Sequence, residues 1–310
     1  MSVEPHVSIP PIAAPWGGRS RTVDLGGTVH YVDFDGPAQA PPVVLVHGLG
    51  GSHLNWLLLA DRLRARHRVY ALDLAGFGFT RGTHLSAAVG DNADLVRRFI
   101  AKVVGEPVIL VGNSMGGLIT TLVAARADAP VLGIVLIDPA MPAPRGRPDA
   151  QLTSLFTLLA APVRRAARAR RGRSLSVAGE VAVVLRLCIA DWDRLDEDVF
   201  EAHVDLAKAQ KGFADLNASF KLAGRTMIAA LARRSVVRRR LADITVPVLL
   251  IQGDRDRLVH VSSARWAARM NPDWHYVELA GVGHVPMLEV PQQTEDAINS
   301  WLASADIVGG

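Results

Sequence analysis

The sequence predicts an α/β protein with a mostly parallel sheet, helices on both faces of that sheet, and a helical insertion. Short apolar runs alternate with stretches of helical periodicity, which is typical of βαβ units. Runs such as Val43–Val46 contain no polar residue, as expected of strands that are buried on both faces. From residue 141 to residue 243 no run has strand character. The chain has 310 residues, of which 49% are hydrophobic, so it can bury a substantial core.

After a proline-rich N-terminal arm, predicted strands and helices alternate up to residue 140. Residues 22–35 alternate in polarity around Gly26-Gly27 and predict a two-stranded hairpin. The later elements are strands over 43–46, 69–72, 108–111 and 131–137, and helices over 53–65, 87–104 and 117–125. The carboxyl ends of parallel strands meet at one edge of a sheet, and active sites of such proteins lie at that edge.

The stretch 141–243 is predicted to be a helical lid inserted over the strand ends. Its predicted helices cover 152–160, a stretch that begins at Pro162, 177–190, 196–210 and 213–234. An independent helical domain is the alternative, but the strand–helix pattern returns afterwards, with strands over 246–251 and 275–279 and helices over 262–270 and 292–303. The predicted domains are therefore a core formed by 1–140 and 244–310, and a lid formed by 141–243.

One stretch combines a buried strand, a tight turn and a helix around Ser114. Residues 112–116 read Gly-Asn-Ser-Met-Gly and match the pattern G-x-S-x-G. A turn sharp enough to expose the serine hydroxyl leaves no space for side chains at the two glycine positions. The start of the following helix supplies unpaired N–H groups that suit an oxyanion. A glycine-rich turn with a surface serine is the alternative interpretation.

A serine hydroxyl needs a base and an orienting acid to act as a nucleophile. Among the ten histidines, His284 is the best candidate for the base, because it directly follows a predicted strand at the same edge of the sheet. Asp256, in the loop after the preceding strand, is the best candidate for the acid. Asp254 and Asp138 are the alternatives, since each also lies just after a predicted strand.

These features resemble the α/β-hydrolase superfamily, and more closely its lidded serine esterase and lipase-like branch, which is related to C–C bond hydrolases. The resemblance covers nearly the whole chain. It rests on five motifs in the expected order: His47-Gly48-Leu49-Gly50, Asp73-Leu74-Ala75-Gly76-Phe77-Gly78, Gly112-Asn113-Ser114-Met115-Gly116-Gly117, Gly253-Asp254-Arg255-Asp256 and Gly283-His284-Val285-Pro286-Met287-Leu288-Glu289. The implied fold is the α/β-hydrolase fold.

The resemblance implies that Ser114 is the nucleophile, His284 the base and Asp256 the acid of a catalytic triad. It also implies that the backbone N–H groups of Leu49 and Met115 form the oxyanion hole. The family usually places the acid three residues after the strand-ending glycine, which favours Asp256 over its alternatives. No cofactor is expected.

The expected function is a serine hydrolase that acts through an acyl-enzyme on carboxylic esters with an apolar acyl or alcohol part. The apolar runs 155–159 and 181–187 either line the entrance or form the core of the lid. The alternatives are a C–C bond (meta-cleavage-type) hydrolase, a cofactor-free haloperoxidase or perhydrolase, an acyltransferase and a low-turnover ligand-binding protein. Many C–C hydrolases carry a tryptophan soon after the catalytic histidine, and here Val285-Pro286-Met287 follow instead.

Composition limits the partners and the compartment. The single cysteine, Cys188, excludes an internal disulfide, and neither a signal-peptide pattern nor a long apolar span is evident, so a cytoplasmic protein is expected. No Cys/His spacing predicts a metal site. The arginines are not interleaved with aromatic residues, which argues against nucleic-acid binding. Residues 141–245 carry 19 basic against 11 acidic side chains, which could favour peripheral contact with an anionic membrane.

Overall fold

Eight strands form one sheet in a computed structural model, which describes residues 9–82, 84–142 and 175–307. The strands are β1 (Arg19–Asp24), β2 (Thr28–Asp33), β3 (Val43–Val46), β4 (Val69–Leu72), β5 (Val108–Asn113), β6 (Val131–Ile137), β7 (Val248–Gly253) and β8 (His275–Leu279). Their order in the sheet is β1-β2-β4-β3-β5-β6-β7-β8. The pairs β1–β2 and β2–β4 are antiparallel and all other pairs are parallel, so the predicted mostly parallel sheet is confirmed.

Ten α-helices are described. They are α1 (Leu57–Leu63), α2 (Val89–Phe99), α3 (Met115–Ala124), α4 (Val177–Cys188), α5 (Glu197–Ala209), α6 (Leu216–Ala232), α7 (Arg234–Ala242), α8 (Val261–Met270), α9 (Pro286–Glu289) and α10 (Pro291–Ser304). Alternate residues of the central strands point to opposite faces of the sheet. One face packs against α2, α3 and α8, and the other packs against α1 and α10. The prediction of helices on both faces is thus confirmed.

The predicted hairpin is also confirmed, and its turn explains the two adjacent glycines. Strands β1 and β2 pair in register from Arg19 and Asp33 to Asp24 and Thr28. Gly26 has a φ of 85°, in the left-handed region that glycine adopts without strain. The side chain of Asp24 accepts hydrogen bonds from the N–H groups of both turn glycines.

Several helix predictions differ from the structure. The stretch predicted as a helix over 53–65 begins as a 3-10 turn (His53–Trp56) before α1, and the helix predicted over 87–104 ends in a π turn (Ile100–Val104). The helix predicted over 213–234 stops at Ala232, because Arg233 adopts a non-helical backbone with φ −85° and ψ 57°. Helix α7 follows at once and was not predicted, because only Val237 and Leu241 are buried in an arginine-rich sequence.

Between β6 and β7, residues 141–142 and 175–247 contain four α-helices, α4 to α7, and no strand. The helices predicted over 152–160 and from Pro162 lie outside the described residues, and the division into a core and a lid stays a prediction. No helix in the described ranges combines the length and the apolar character needed to cross a bilayer.

Candidate active site

Ser114 lies in the tight turn between β5 and α3, with φ 55° and ψ −119°. This left-handed φ is uncommon for a residue with a side chain and marks local strain. A Cβ atom at Gly116 would lie 2.0 Å from the carbonyl oxygen of Val46, and one at Gly112 would lie 2.4 Å from the carbonyl oxygen of Gly116. Both contacts are with backbone atoms, which cannot easily move. The predicted reason for the two glycines is therefore confirmed.

His284 and Asp256 form a buried hydrogen-bonded pair. The Nδ1 atom of His284 lies 2.7 Å from Oδ2 of Asp256. The other carboxylate oxygen, Oδ1, accepts the N–H groups of Leu258 at 2.7 Å and Val259 at 2.9 Å. Asp254 instead accepts the N–H of Gly281 and has no contact with His284 among the described hydrogen bonds. Of the two neighbouring aspartates, the structure pairs Asp256 with the histidine.

Three hydrogen bonds hold the loop that carries His284. The N–H of His284 donates to the carbonyl oxygen of Cys188 at 2.6 Å. The Nδ2 atom of Asn113 donates to the carbonyl oxygen of His284 at 3.0 Å, and the carboxylate of Glu289 accepts the N–H of Gly283 at 2.9 Å. Asn113, which precedes Ser114, thereby links the serine turn to the histidine loop.

Glu289 also joins this loop to the helices between β6 and β7. Its side chain is fully buried and accepts the N–H groups of Ala190 at 3.0 Å and Asp191 at 3.2 Å. Neither Asn113 nor Glu289 is predicted as a site residue from the sequence. Both lie inside motifs that carried the resemblance, and this position was the only signal for them in the sequence.

Ser114 and His284 line the same cavity, which places the predicted nucleophile and base together. Within the described residues, the serine hydroxyl makes no hydrogen bond with the imidazole. Such bonds are often long in the absence of substrate and tighten in the complex. The structure therefore brings together Ser114, His284 and Asp256.

The predicted oxyanion-hole loop lies directly against the serine turn. A Cβ atom at Gly48 would be 3.0 Å from Cβ of Ser114. Among the described residues, the N–H groups of Leu49 and Met115 donate to no acceptor. His47 anchors this loop, because its Nδ1 donates to the carbonyl oxygen of Gly48 at 2.7 Å and its Nε2 accepts the N–H of Leu74 at 3.1 Å. Burial lowers the pKa of His47, which keeps it in the neutral form that these two bonds require.

Asp73 is the centre of a buried polar cluster behind this loop. Its carboxylate accepts Nδ1 of His30 at 2.7 Å, the N–H of His53 at 2.7 Å, Nδ1 of His53 at 3.0 Å and the N–H of Phe79 at 2.9 Å. His53 is buried, at 1% exposed, and the side chain of Ser52 caps the 3-10 turn in which His53 lies. The cluster fixes the loop after β3 to the loop after β4.

We expect Asp73→Asn to lower the free energy of unfolding by about 3 kcal/mol at pH 7, because it leaves buried donors poorly paired. Burial alone raises the pKa of Asp73, but His53, His30 and their hydrogen bonds outweigh it, so the pKa lies well below its usual value. This stabilisation is complete above the unfolded-state pKa of about 4 and is lost as the pH falls further. Urea unfolding from pH 7 down to pH 3 should therefore show the difference between wild type and variant shrinking.

The control for this prediction is Asp205→Asn. Asp205 is an exposed carboxylate on α5, paired with Lys208 at 2.9 Å, and its loss should cost less than about 1 kcal/mol. Equal stabilities of wild type and Asp73→Asn at pH 7 would contradict the role of the cluster.

The cavity at the serine has a volume of about 310 Å³. It lies between the carboxyl edge of the sheet and the helices α4, α5 and α6. Its apolar lining includes Val181, Leu185, Leu206, Met227, Leu231 and Val259. Of the two apolar runs considered in the sequence, 181–187 contributes to this lining, and 155–159 lies outside the described residues.

Two titratable side chains in the cavity wall, Cys188 and His203, are uncharged at neutral pH. Burial raises the pKa of the Cys188 thiol to about 12, and burial lowers the pKa of His203 to about 4. Trp56 is fully buried in the core, and Trp192 packs against Phe200 and Arg186.

Asp138, the remaining alternative for the acid, is fully buried beside the pair of His284 and Asp256. Its Oδ1 atom accepts Nε2 of Gln252 at 2.6 Å and the N–H of Gly253 at 2.9 Å. The hydrogen bond from the imidazole goes to Asp256 and not to Asp138.

Among the residues that the structure describes, two groups of three side chains have a composition that suits a metal ion. One is His30, His53 and Asp73, and the other is Asp138, Asp256 and His284. In each group a histidine nitrogen already hydrogen bonds to a carboxylate at about the length expected without an ion, 2.7 Å in both cases. Their geometry is thus that of hydrogen-bonded networks.

Comparison with known proteins points to one family. Lipase 1 of Psychrobacter immobilis is 25% identical over 284 residues, which cover 90% of this chain and 81% of the lipase. A pimeloyl-[acyl-carrier protein] methyl ester esterase of Xanthomonas oryzae pv. oryzae is 26% identical over 285 residues, which cover 88% of this chain and 99% of the esterase. The fold is also similar to the crystal structure of a membrane phospholipase A, a bacterial virulence factor, with a TM-score of 0.71. The two sequences are 27% identical, and the superposed region covers 95% of this chain and 89% of the phospholipase chain.

The family model of the alpha/beta hydrolases matches residues 43–297. This range runs from β3 to α10 and includes the serine turn, both loops of the histidine–aspartate pair and the helices between β6 and β7. The resemblance inferred from the sequence motifs is therefore confirmed, and the chain belongs to the alpha/beta hydrolase family.

Proposed function

We propose that this protein is a serine hydrolase that cleaves carboxylic esters with an apolar acyl or alcohol part. One observation carries the proposal: Ser114, held in a strained turn at the start of α3, shares a cavity with His284, whose Nδ1 binds the buried carboxylate of Asp256. Serine, imidazole and carboxylate in this arrangement are the parts of an acyl-transfer site.

In the proposed mechanism the Ser114 hydroxyl attacks the ester carbonyl while Nε2 of His284 takes its proton. Asp256 orients the imidazole and stabilises its positive charge. The N–H groups of Leu49 and Met115 are free to donate to the oxyanion. His284 then protonates the leaving alcohol, and water releases the acyl group from Ser114. One donor to the oxyanion is worth about 2.7–4 kcal/mol in a well-studied protease.

The preference for an apolar substrate is supported by the cavity and by the relatives. The wall of the cavity is mostly aliphatic, and two of the similar proteins are a lipase and a methyl ester esterase. The volume lies at the lower end of the range of about 300–1,000 Å³ for ligand cavities. We therefore expect short and medium acyl chains to react faster than palmitate.

We further propose that residues 141–243 act as a lid over the strand ends. Helices α4, α5 and α6 supply more of the described apolar lining than the strands do. The hydrogen bonds from Ala190 and Asp191 to Glu289 fasten this segment to the histidine loop.

Hydrolysis of a p-nitrophenyl ester series from acetate to palmitate tests the proposed function. Saturable turnover with an optimum at a short or medium chain is the expected result. Absence of turnover across the whole series would contradict an esterase and direct attention to C–C bond substrates or acyl acceptors.

A larger side chain in the cavity should shorten the preferred acyl chain. Ala207 of α5 lines the cavity, and Ala207→Trp is expected to lower kcat/KM for the best ester by about tenfold or more, because a filled pocket excludes several methylene groups. Acetate should be affected much less. Ala209→Trp, an exposed position on the same helix, is the matched control. Equal loss for acetate and longer esters would show that Ala207 does not border the acyl site.

A further inference from the structure

Two carboxyl groups are buried side by side behind His284, and the triad uses only one of them. Asp138 is 0% exposed and Asp256 is 7% exposed. Polar atoms of Asp138, Asp256 and His284 all lie within 4.8 Å of one another. Two ionised carboxylates at such a distance in a buried site repel strongly, so one of them is expected to hold a proton.

The hydrogen bonds decide which carboxyl stays ionised. Asp256 accepts from Nδ1 of His284, from the N–H groups of Leu258 and Val259, and from Nε2 of Gln252 at 3.2 Å. Asp138 accepts from Nε2 of Gln252 and from one backbone N–H, both through Oδ1. Several donors on a carboxylate stabilise its charge. The ionised group is therefore Asp256.

The second oxygen of Asp138 shows where the proton lies. Oδ2 is buried and has no hydrogen-bond partner among the described residues. A buried acceptor without a donor is costly. If Oδ2 carries a hydrogen, it becomes a donor, and the neighbouring carboxylate of Asp256 can accept its hydrogen bond. Oδ1 already accepts two hydrogen bonds, which leaves Oδ2 as the atom that carries the hydrogen.

We propose that Asp138 is a protonated positioning residue whose Oδ2–H donates to the carboxylate of Asp256, and so holds the acid of the triad in place for His284. The expected effect of Asp138 on turnover rests on the function proposed above. The protonation of Asp138 follows from the geometry alone.

The surroundings of Asp138 agree with this assignment. Burial, followed by the charge of Asp256, raises the pKa of Asp138 well above its usual value. Glu289 on α9 acts in the same direction, while the N–H of Gly253 acts against it. Among the described residues, His284 also has a polar atom within 4.8 Å of the pair, and the nearby Cys188 thiol is uncharged at neutral pH.

The backbone allows a close substitute for protonated Asp138. Its φ is 44°, in the left-handed region that aspartate and asparagine adopt more readily than other residues with side chains. Asparagine can accept with its oxygen from Gln252 and Gly253 and donate with its NH₂ to Asp256. Asp138→Asn thus mimics the protonated acid, whereas Asp138→Ala removes both functions.

Activity of these variants on the best p-nitrophenyl ester tests the positioning role. Asp138→Ala should lower kcat by about tenfold or more, the effect of losing one hydrogen bond to a charged group. Asp138→Asn should recover most of that loss. The pKa of the acidic limb of the kcat/KM profile should rise in Asp138→Ala, because Asp256 no longer shares its charge with a donor, and should return to the wild-type value in Asp138→Asn. A loss of about 10⁴-fold in Asp138→Asn would show that Asp138 is the ionised acid and overturn the proposal.

Infrared difference spectra between wild type and Asp138→Asn test the protonation of Asp138 independently of ester hydrolysis. A protonated carboxyl C=O band at neutral pH should be present in wild type and in Ser114→Ala, and absent in Asp138→Asn. A band that survives in Asp138→Asn, or no band in wild type, would refute the inference. If no ester is hydrolysed but the band behaves as expected, the proposed function fails while the assignment of the proton stands.

Discussion

Replacing Ser114 by alanine is expected to lower kcat for ester hydrolysis by about 10⁴- to 10⁶-fold, because the variant lacks the hydroxyl that forms the proposed acyl-enzyme. The loss should appear in kcat for every ester of the p-nitrophenyl series. Initial rates with purified wild type and variant, corrected for uncatalysed hydrolysis, measure the effect. Ser235→Ala, which changes an exposed serine on α7, is the matched control. Retention of more than about one-hundredth of the activity would exclude Ser114 as the nucleophile.

A glycine at the same position separates chemistry from folding. Ser114 has a left-handed φ, so Ser114→Gly removes both the hydroxyl and the backbone strain. We expect this variant to be as inactive as Ser114→Ala and more stable than it by about 1 kcal/mol. Thermal unfolding of the two variants provides the comparison.

Asp256→Asn is expected to lower kcat by about 10⁴-fold, comparable with the same exchange in a serine protease. The amide presents the wrong group to Nδ1 of His284 and does not stabilise an imidazolium. Asp254→Asn is the matched control two residues away, because within the described part of the chain Asp254 accepts only the N–H of Gly281, and an amide oxygen can accept the same bond.

The pattern across the two variants identifies the acid. If Asp256→Asn retains near-normal activity and Asp254→Asn does not, the assignment of Asp256 is wrong. If both retain activity, the acid lies elsewhere, and Asp138, which has a polar atom within 4.8 Å of His284, is then the next candidate.

The sheet and the main site residues could be predicted because local sequence carries their signal. Parallel strands appear as uninterrupted apolar runs such as Val43–Val46, and the turn at Ser114 has glycines at the two positions where a side chain would strike backbone. Both signals depend on neighbouring residues in the chain and need no tertiary information.

The polar contacts behind the site could not be predicted, because they depend on which strands and loops become neighbours. Strand β6 pairs with β7 so that Ile137 lies opposite Ile251, and this register places Asp138 beside Gln252. The cluster at Asp73 likewise depends on the antiparallel pairing of β2 with β4, which brings His30 to the end of β4. Helix α7 could not be predicted, because its sequence is rich in arginine and only two of its residues, Val237 and Leu241, are buried.

Covalent labelling with a fluorophosphonate, followed by peptide mass mapping, tests the central claim most directly. Such a reagent reacts with a serine that has an activating base, whatever the natural substrate is. We predict a single adduct on the peptide that contains Ser114, slowed strongly in Asp256→Asn and absent in Ser114→Ala. An adduct on another residue, or equal labelling of wild type and Ser114→Ala, would contradict the assignment of Ser114 as the nucleophile.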